Sequence, residues 1–219
     1  MFLTSVKRWR PMVSAELARQ SVPLPTELIL AVLQRESNGV PGTVNQKSGA
    51  SGLLQVMPGT LKDFNKREKK KYTLSDMRSS DLSSAQKQIE VGISTLASFW
   101  RSAYRYLSDR LPNVPIDELS RIADLFYAAG PGAVQKRLDP ISPTWNAVQA
   151  HYPNWNALPH PRHVFELVDS ENTQWNLPAI SAWLDTGAGA ITTLKKPAQG
   201  FAVGLLIILA AYVFMKRGK

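Results

Sequence analysis

The stretch LILAVLQRESNGV, residues 28–40, ends an apolar run on a carboxylate. Ile29, Val32, Leu33 and Glu36 stand at i, i+3, i+4 and i+7. On a helix, Glu36 therefore continues the face that carries the core residues, while Gln34 and Arg35 point elsewhere. A carboxyl group on such a face is partly desolvated, and desolvation favours its protonated form. A carboxyl group that keeps its proton near neutral pH can serve as a general acid. The same spacing also suits a helix that frays before Glu36 and turns the side chain to water. Periodicity leaves both readings open.

Further polar and glycine residues follow at fixed spacing. Behind Glu36-Ser37 comes a run containing Gly49, Ala50, Gly52, Leu53, Leu54, Gln55, Met57, Pro58 and Thr60. QIEVGISTL occupies residues 88–96 and FYAAGPGAV residues 126–134. Together these blocks resemble the catalytic core of the soluble-type lytic transglycosylases, within the lysozyme-like superfamily. That family pairs Glu-Ser at a helix end with Gly-Ala-x-Gly-Leu-Met-Gln-x-Met-Pro-x-Thr; here Leu54 replaces the usual Met. QIEVGISTL is similar to the family's Asn-Ile-x-x-Gly-x-x-Tyr-Leu helix, with Gln88 for Asn and Thr95 for Tyr. FYAAGPGAV keeps Tyr127 and carries Ala128 for Asn. HVFELV, residues 163–168, stands for the family's Tyr-Val-x-x-Val element, with His163 at the Tyr position. The resemblance covers about residues 24–168.

The resemblance implies an all-α, lysozyme-like catalytic domain and a peptidoglycan lytic transglycosylase. Glu36 would protonate the glycosidic oxygen between MurNAc and GlcNAc. As a carboxylate it would then take the proton of the C6 hydroxyl, closing a 1,6-anhydro ring. Ser37, Gly49, Gly52, Gln55, Met57 and Tyr127 become the substrate-binding candidates. Gly49 and Gly52 would remove side chains where a polysaccharide approaches backbone. Gln55 offers a donor and an acceptor to sugar groups, and Tyr127 a hydroxyl near the acid and a ring face. No metal or organic cofactor is implied. The chain has no cysteine, and His151, His160 and His163 form no HExxH pair.

Most glycosidases use two carboxyl groups. Asp63, Asp76, Asp81, Glu90 and Asp124 are available, and Glu90 and Asp124 fall on helices expected to border the cleft. The simpler reading of each is a solvated helix charge, which fits a one-glutamate mechanism. The departures at Gln88, Thr95 and Ala128 motivate a second function: a catalytically weak, lysozyme-like module that binds the wall.

These residues need helices to position them. PLPTELILAVLQRES reads as a helix with Thr26 as N-cap and Asn38-Gly39 as its stop. Residues 40–52 read as a loop, and helix resumes at Thr60 after Met57-Pro58-Gly59. The basic stretch NKREKKKYTLSDMRSSDLSS reads as an exposed loop. A long helix follows, with a stripe of Ile89, Ile93, Leu96, Trp100 and Tyr104. IDELSRIADLFYAAG forms another, with Leu119, Ile122, Phe126 and Ala129 on one side. Trp145, Tyr152 and Trp155 could stack on sugars, although packing of a loop-rich flank is the simpler use. No strand-like alternation of any length occurs. The organisation expected is an N-terminal lead-in at 1–21, amphipathic or irregular, the catalytic domain at 22–168, a linker at 169–196 and a transmembrane helix at 197–216.

The formal charge of the 219 residues is +9. It favours a polyanionic partner: wall polymer, anionic lipid or nucleic acid. Nucleic acid is suggested by charge alone and is not an expected partner. Residues 197–215 are uncharged, with Lys195 and Lys196 before them and Lys216 and Arg217 after. At 1.5 Å per residue such a helix spans about 28 Å, one hydrocarbon core. MFLTSVKRWRPMVSAELARQ lacks the long apolar segment of a signal peptide. A tail anchor without an export signal suits a virion-associated enzyme that opens the wall during phage penetration, with lipid and other virion proteins as partners. A bacterial secretion or conjugation system, anchored in the inner membrane, is the alternative.

Overall fold

A computed structural model describes residues 1–188 of the chain. The expected transmembrane helix at 197–216 lies outside the described residues. Among the described residues, no helix is long and apolar enough to cross a membrane.

The described residues are mainly helical and contain no strand; residues 44–56 make only isolated bridges between Val44, Ser51 and Val56. Helix α3, Thr26–Ser37, runs through the centre. Its six consecutive residues from Leu28 to Leu33 are all buried, so it is surrounded rather than amphipathic there. Pro25, not Thr26, takes the N-cap position, and Asn38 closes the helix in the left-handed conformation that Asn tolerates. The long helix α6, Leu82–Ser108, packs along α7, Ile116–Ala129; α10, Pro159–Ser170, packs on α3 and α7. Asp81 caps α6 by accepting from the Ser84 amide at 2.8 Å.

Residues 1–21 are not irregular. They form α1, Thr4–Lys7, and α2, Arg10–Arg19, which pack on α3 and α6. Phe2, Val6, Trp9, Val13 and Leu17 enter the same core as α3. Four contacts fasten this segment near the end of α3, among them Arg8 Nη2 to the Gly39 carbonyl at 3.1 Å. The Leu3 amide donates to Gln34 Oε1 at 2.9 Å, Ser5 Oγ to the Asn38 carbonyl at 2.6 Å, and Trp9 Nε1 to the Gly39 carbonyl at 2.9 Å. The N-terminal segment therefore braces the turn on which Glu36 stands.

The basic stretch after residue 64 also departs from expectation. Helix α4, Pro58–Glu68, starts two residues before Thr60 and continues into the stretch, and α5, Leu74–Arg78, lies within it. Thr73 and Asp76 make a reciprocal capping box. Met77 is fully buried with Val56, Leu61, Phe64 and Val91 in a second small core. Most of the lysines and arginines are exposed, as composition suggests, but Met77, the capping box, the Asp76–Lys87 pair and the Asn65 bonds to Tyr72 order the segment.

Three further helices complete the described part: α8, Pro131–Leu138, α9, Trp145–His151, and α11, Leu177–Ala188. The first part of the expected linker thus contributes to the core, because Ile180, Trp183 and Leu184 are buried. The aromatic flank packs rather than opens. Trp145 is buried, Tyr152 donates to the Arg137 carbonyl at 3.1 Å, and Arg137 lies over the Trp155 ring.

Candidate active site

Glu36 occupies the last turn of α3 with its side chain 18% exposed. It lies between the two alternatives of the sequence, half-buried rather than free in water. Its Oε1 is 2.7 Å from Nε2 of His160, and Nδ1 of the same ring is 2.7 Å from Oδ2 of Asp124. Asp124 is only 2% exposed and His160 8%. One imidazole thus bridges two carboxyl groups from α3 and α7.

An imidazole donates from both nitrogens only when it is protonated. Burial opposes that charge, but the Asp124 and Glu36 carboxylates outweigh it and lift the His160 pKa to about 9. Burial pushes the Asp124 carboxyl group upward, against the pull of His160. Asp124 Oδ1 is buried without a hydrogen-bond partner. This carboxyl group therefore depends on His160 for its compensation.

Two expectations about these residues fail. Asp124 and Glu90 are buried, not solvated helix charges. Glu90 belongs to a separate network: it accepts from the Tyr72 hydroxyl at 2.7 Å and pairs with Arg19 at 2.9 Å and Lys70 at 3.3 Å. His163 is exposed and takes no part in the site. The histidine that reaches Glu36 is His160, three residues earlier. The sequence held a signal for it: His160, Val164 and Val168 form a buried i, i+4, i+8 stripe, the same device that marks Glu36 on α3.

The loop at residues 40–57 is set against α3 and α6 by polar struts. Ser37 is buried, and its hydroxyl lies 3.1 Å from the Leu33 carbonyl and 2.8 Å from that of Leu53. Its single proton goes to backbone, so Ser37 fastens the loop rather than presenting a hydroxyl to substrate. Gln88 is fully buried. Its Oε1 accepts from the Leu53 amide at 2.9 Å, and its Nε2 donates to the carbonyls of Ser79 at 2.8 Å and Asp76 at 3.1 Å. Thr95 donates to the Val91 carbonyl within α6. Gln88 and Thr95 therefore serve the interior, whereas Ala128 is exposed.

Gly49 and Gly52 have φ of +75° and +82°. A Cβ at Gly52 would sit 2.8 Å from the Gln88 side chain. Its missing side chain makes room for Gln88, and at Gly49 the left-handed backbone alone accounts for glycine. Neither reason involves a polysaccharide. Gln55 spends its amide donor on the carbonyls of Thr43 and Gly52. Met57, 43% exposed, stands at the N-cap of α4 and offers apolar surface. The Tyr127 hydroxyl donates to the Leu54 carbonyl, and its ring centre lies 6.1 Å from that of His160. Burial, then the carboxylates of Glu36 and Asp124, push its pKa well above the usual phenol value. Tyr127 thus stands beside His160 as a wall, with its proton already engaged. Among the described residues, no cluster of histidine and acidic side chains is arranged to hold a metal ion.

Compared with known families, residues 14–140 match the one described as "Transglycosylase SLT domain". Glu36, the glycine loop and Asp124 fall inside that span, and His160 falls outside it. No curated protein matches the chain.

Proposed function

The chain belongs to the transglycosylase SLT domain family, a peptidoglycan-directed family, and from that premise we propose that it cleaves the β-1,4 bond between MurNAc and GlcNAc. Glu36 protonates the glycosidic oxygen, then accepts the C6 hydroxyl proton as the 1,6-anhydro ring closes. The observation that carries this reading is the half-buried Glu36 carboxyl group at the end of α3, next to Ser37, which ties that helix end to the loop carrying Gly49, Gly52 and Gln55. Asp124 supports a one-glutamate mechanism: at 2% exposure it cannot reach a sugar or activate a water. Met57 and the Tyr127 ring supply apolar surface for the glycan. The catalytically weak alternative loses two of its motives, because Gln88 and Thr95 are engaged inside the fold.

Incubation of the full chain with peptidoglycan sacculi tests the reading. Anhydro-muropeptides are expected by mass spectrometry, and their loss in Glu36→Gln. Wall binding without release of any muropeptide by the unaltered chain would instead establish the wall-binding module.

The uncharged run at 197–215 supports a membrane tether for the domain. A tethered wall-cutting enzyme suits local opening of the wall during phage penetration, with lipid and other virion proteins as partners. Mass spectrometry of purified particles tests this placement. Recovery from the bacterial inner membrane alone would assign the chain to a secretion or conjugation system.

A further inference from the structure

We infer that Glu36 and His160 share one transferable proton, with Asp124 as a positioning residue, so that the acid of this site is the pair rather than Glu36 alone. The inference rests on the proposed role of Glu36 and adds the group that holds its proton.

The geometry supplies each requirement. Nε2 of His160 and Oε1 of Glu36 are 2.7 Å apart, within range of direct proton transfer. Nδ1 is occupied by Asp124 at 2.7 Å, which fixes the ring and selects the tautomer left after Nε2 gives up its proton. Asp124 is buried, and its second oxygen has no partner among the described residues, so this carboxylate acts through the ring. The groups facing His160 are few. From α3 comes Glu36; from α7 come Asp124 and Tyr127, the latter a neutral hydroxyl that donates to Leu54. Arg35 acts on Asp124 at longer range and opposes the upward shift of its carboxyl group. On α10 itself, Arg162 and His163 are exposed.

The step balances as follows. The Nε2 proton passes to Glu36, leaving a neutral ring whose Nδ1–H stays on Asp124. Glu36 gives a proton to the glycosidic oxygen as the bond from C1 of MurNAc to that oxygen breaks. GlcNAc leaves as an alcohol. The C6 oxygen bonds to C1 and releases its proton to Glu36, which returns it to Nε2. The pair ends with the one proton it started with.

A pair differs from a lone carboxyl group in its pH behaviour. A lone acid loses its protonated fraction tenfold per pH unit above its own pKa. A pair keeps its single proton until the imidazole releases it. Below that point the division of the proton between Glu36 and His160 is fixed by their relative affinities and is independent of pH.

The pH profile of kcat/KM for the full chain on solubilised peptidoglycan, with His160→Gln and Glu36→Gln beside it, tests the pair. The unaltered chain is expected to hold its rate through neutral pH and lose it near pH 9, where His160 deprotonates. In His160→Gln that alkaline limb moves down by roughly 2 units or more, toward the ordinary carboxyl range. A limb that stays in place overturns the inference. So does one that moves up, since His160 would then merely depress the acidity range of Glu36. Activity surviving in Glu36→Gln removes Glu36 from the chemistry, and the pair with it, a failure distinct from the other two. Should His160→Gln not fold, nitrogen NMR of the histidines in the unaltered chain decides. His160 titrating together with the alkaline limb supports the pair; a ring already neutral across the plateau overturns it.

Discussion

The side chains of Glu36 and His160, 124 residues apart in the chain, meet at 2.7 Å between the last turn of α3 and the first turn of α10. Each stands at the wrong end of its own helix. A carboxylate at a C-terminus and a cation at an N-terminus both oppose the helix dipole. The two unfavourable placements offset one another only because the helices bring them together. The contact is thus a tertiary tie as well as a proton path, and Asp124 extends it to α7.

The tie gives folding stability a pH dependence of definite sign. His160 has a pKa of about 9 in the folded chain against 6.5 as a reference. A group whose pKa is raised by folding stabilises the folded state fully below its unfolded value and ceases to do so as pH rises through its folded value. The melting temperature is therefore expected to fall between about pH 6.5 and pH 9, and this fall to be absent in His160→Gln. Asp124→Asn, which removes one of the two carboxyl groups 2.7 Å from the ring, should lower the His160 titration by about one unit or more. Thermal melts across that range and histidine NMR measure both; a flat stability profile in the unaltered chain contradicts the tie.

The half-buried position of Glu36 was partly legible: the stripe of Ile29, Val32 and Leu33 allowed it, with water as the other reading, and the glycine-rich run behind it singled the residue out by resemblance. Asp124 and His160 were not, although each lies on a buried helix face. The buried stripe was there in each case, but the partner that makes a buried charge tolerable was not local, since Asp124 and His160 are 36 residues apart in sequence. The helices themselves were legible wherever periodicity was long, as in α6 and α7. Short elements such as α1 and α5 were missed because their order comes from one or two anchors, Val6 and Met77, rather than from a repeated pattern. Ser37, Gly52 and Gln88 were legible as positions but not in their use, which is internal fastening.

Ser37→Ala tests that fastening. The substitution removes the hydroxyl that bridges α3 to the Leu53 carbonyl. A buried acceptor left without its donor costs about 1–3 kcal/mol. The expected result is a lower denaturant midpoint and a reduced rate, with the alkaline limb of the pH profile unmoved. A variant of full stability but weakened substrate binding would return Ser37 to the role of a sugar ligand.

Gly52→Ala acts on the same loop from its other side. The backbone at φ +82° disfavours any side chain, and the added Cβ would meet Gln88 at 2.8 Å. Gln88 cannot yield without losing its bond to the Leu53 amide. Left-handed strain and overpacking together cost at least about 2 kcal/mol. Chemical denaturation measures the loss. A neutral result would mean that the loop is not set by Gln88, and that glycine at position 52 has some purpose other than packing.

Trp9→Ala addresses the N-terminal brace. Trp9 is buried in the central core, and its Nε1 donates to the Gly39 carbonyl, three residues beyond Glu36. Truncating a buried tryptophan costs about 3–5 kcal/mol. If residues 1–21 were an independent lead-in, the change would stay within about 0.5 kcal/mol, as for ordinary surface positions. The brace predicts two effects at once: a large drop in the denaturant midpoint, and reduced muropeptide release under conditions where the variant is still folded. The second effect follows because the chain after Glu36 loses one of the contacts that fix its path and the buried ring beneath it, while His160 and Asp124 remain in place. Reduced stability with unchanged release would confine Trp9 to the core and leave any bracing of the turn after Glu36 to Leu3, Ser5 and Arg8.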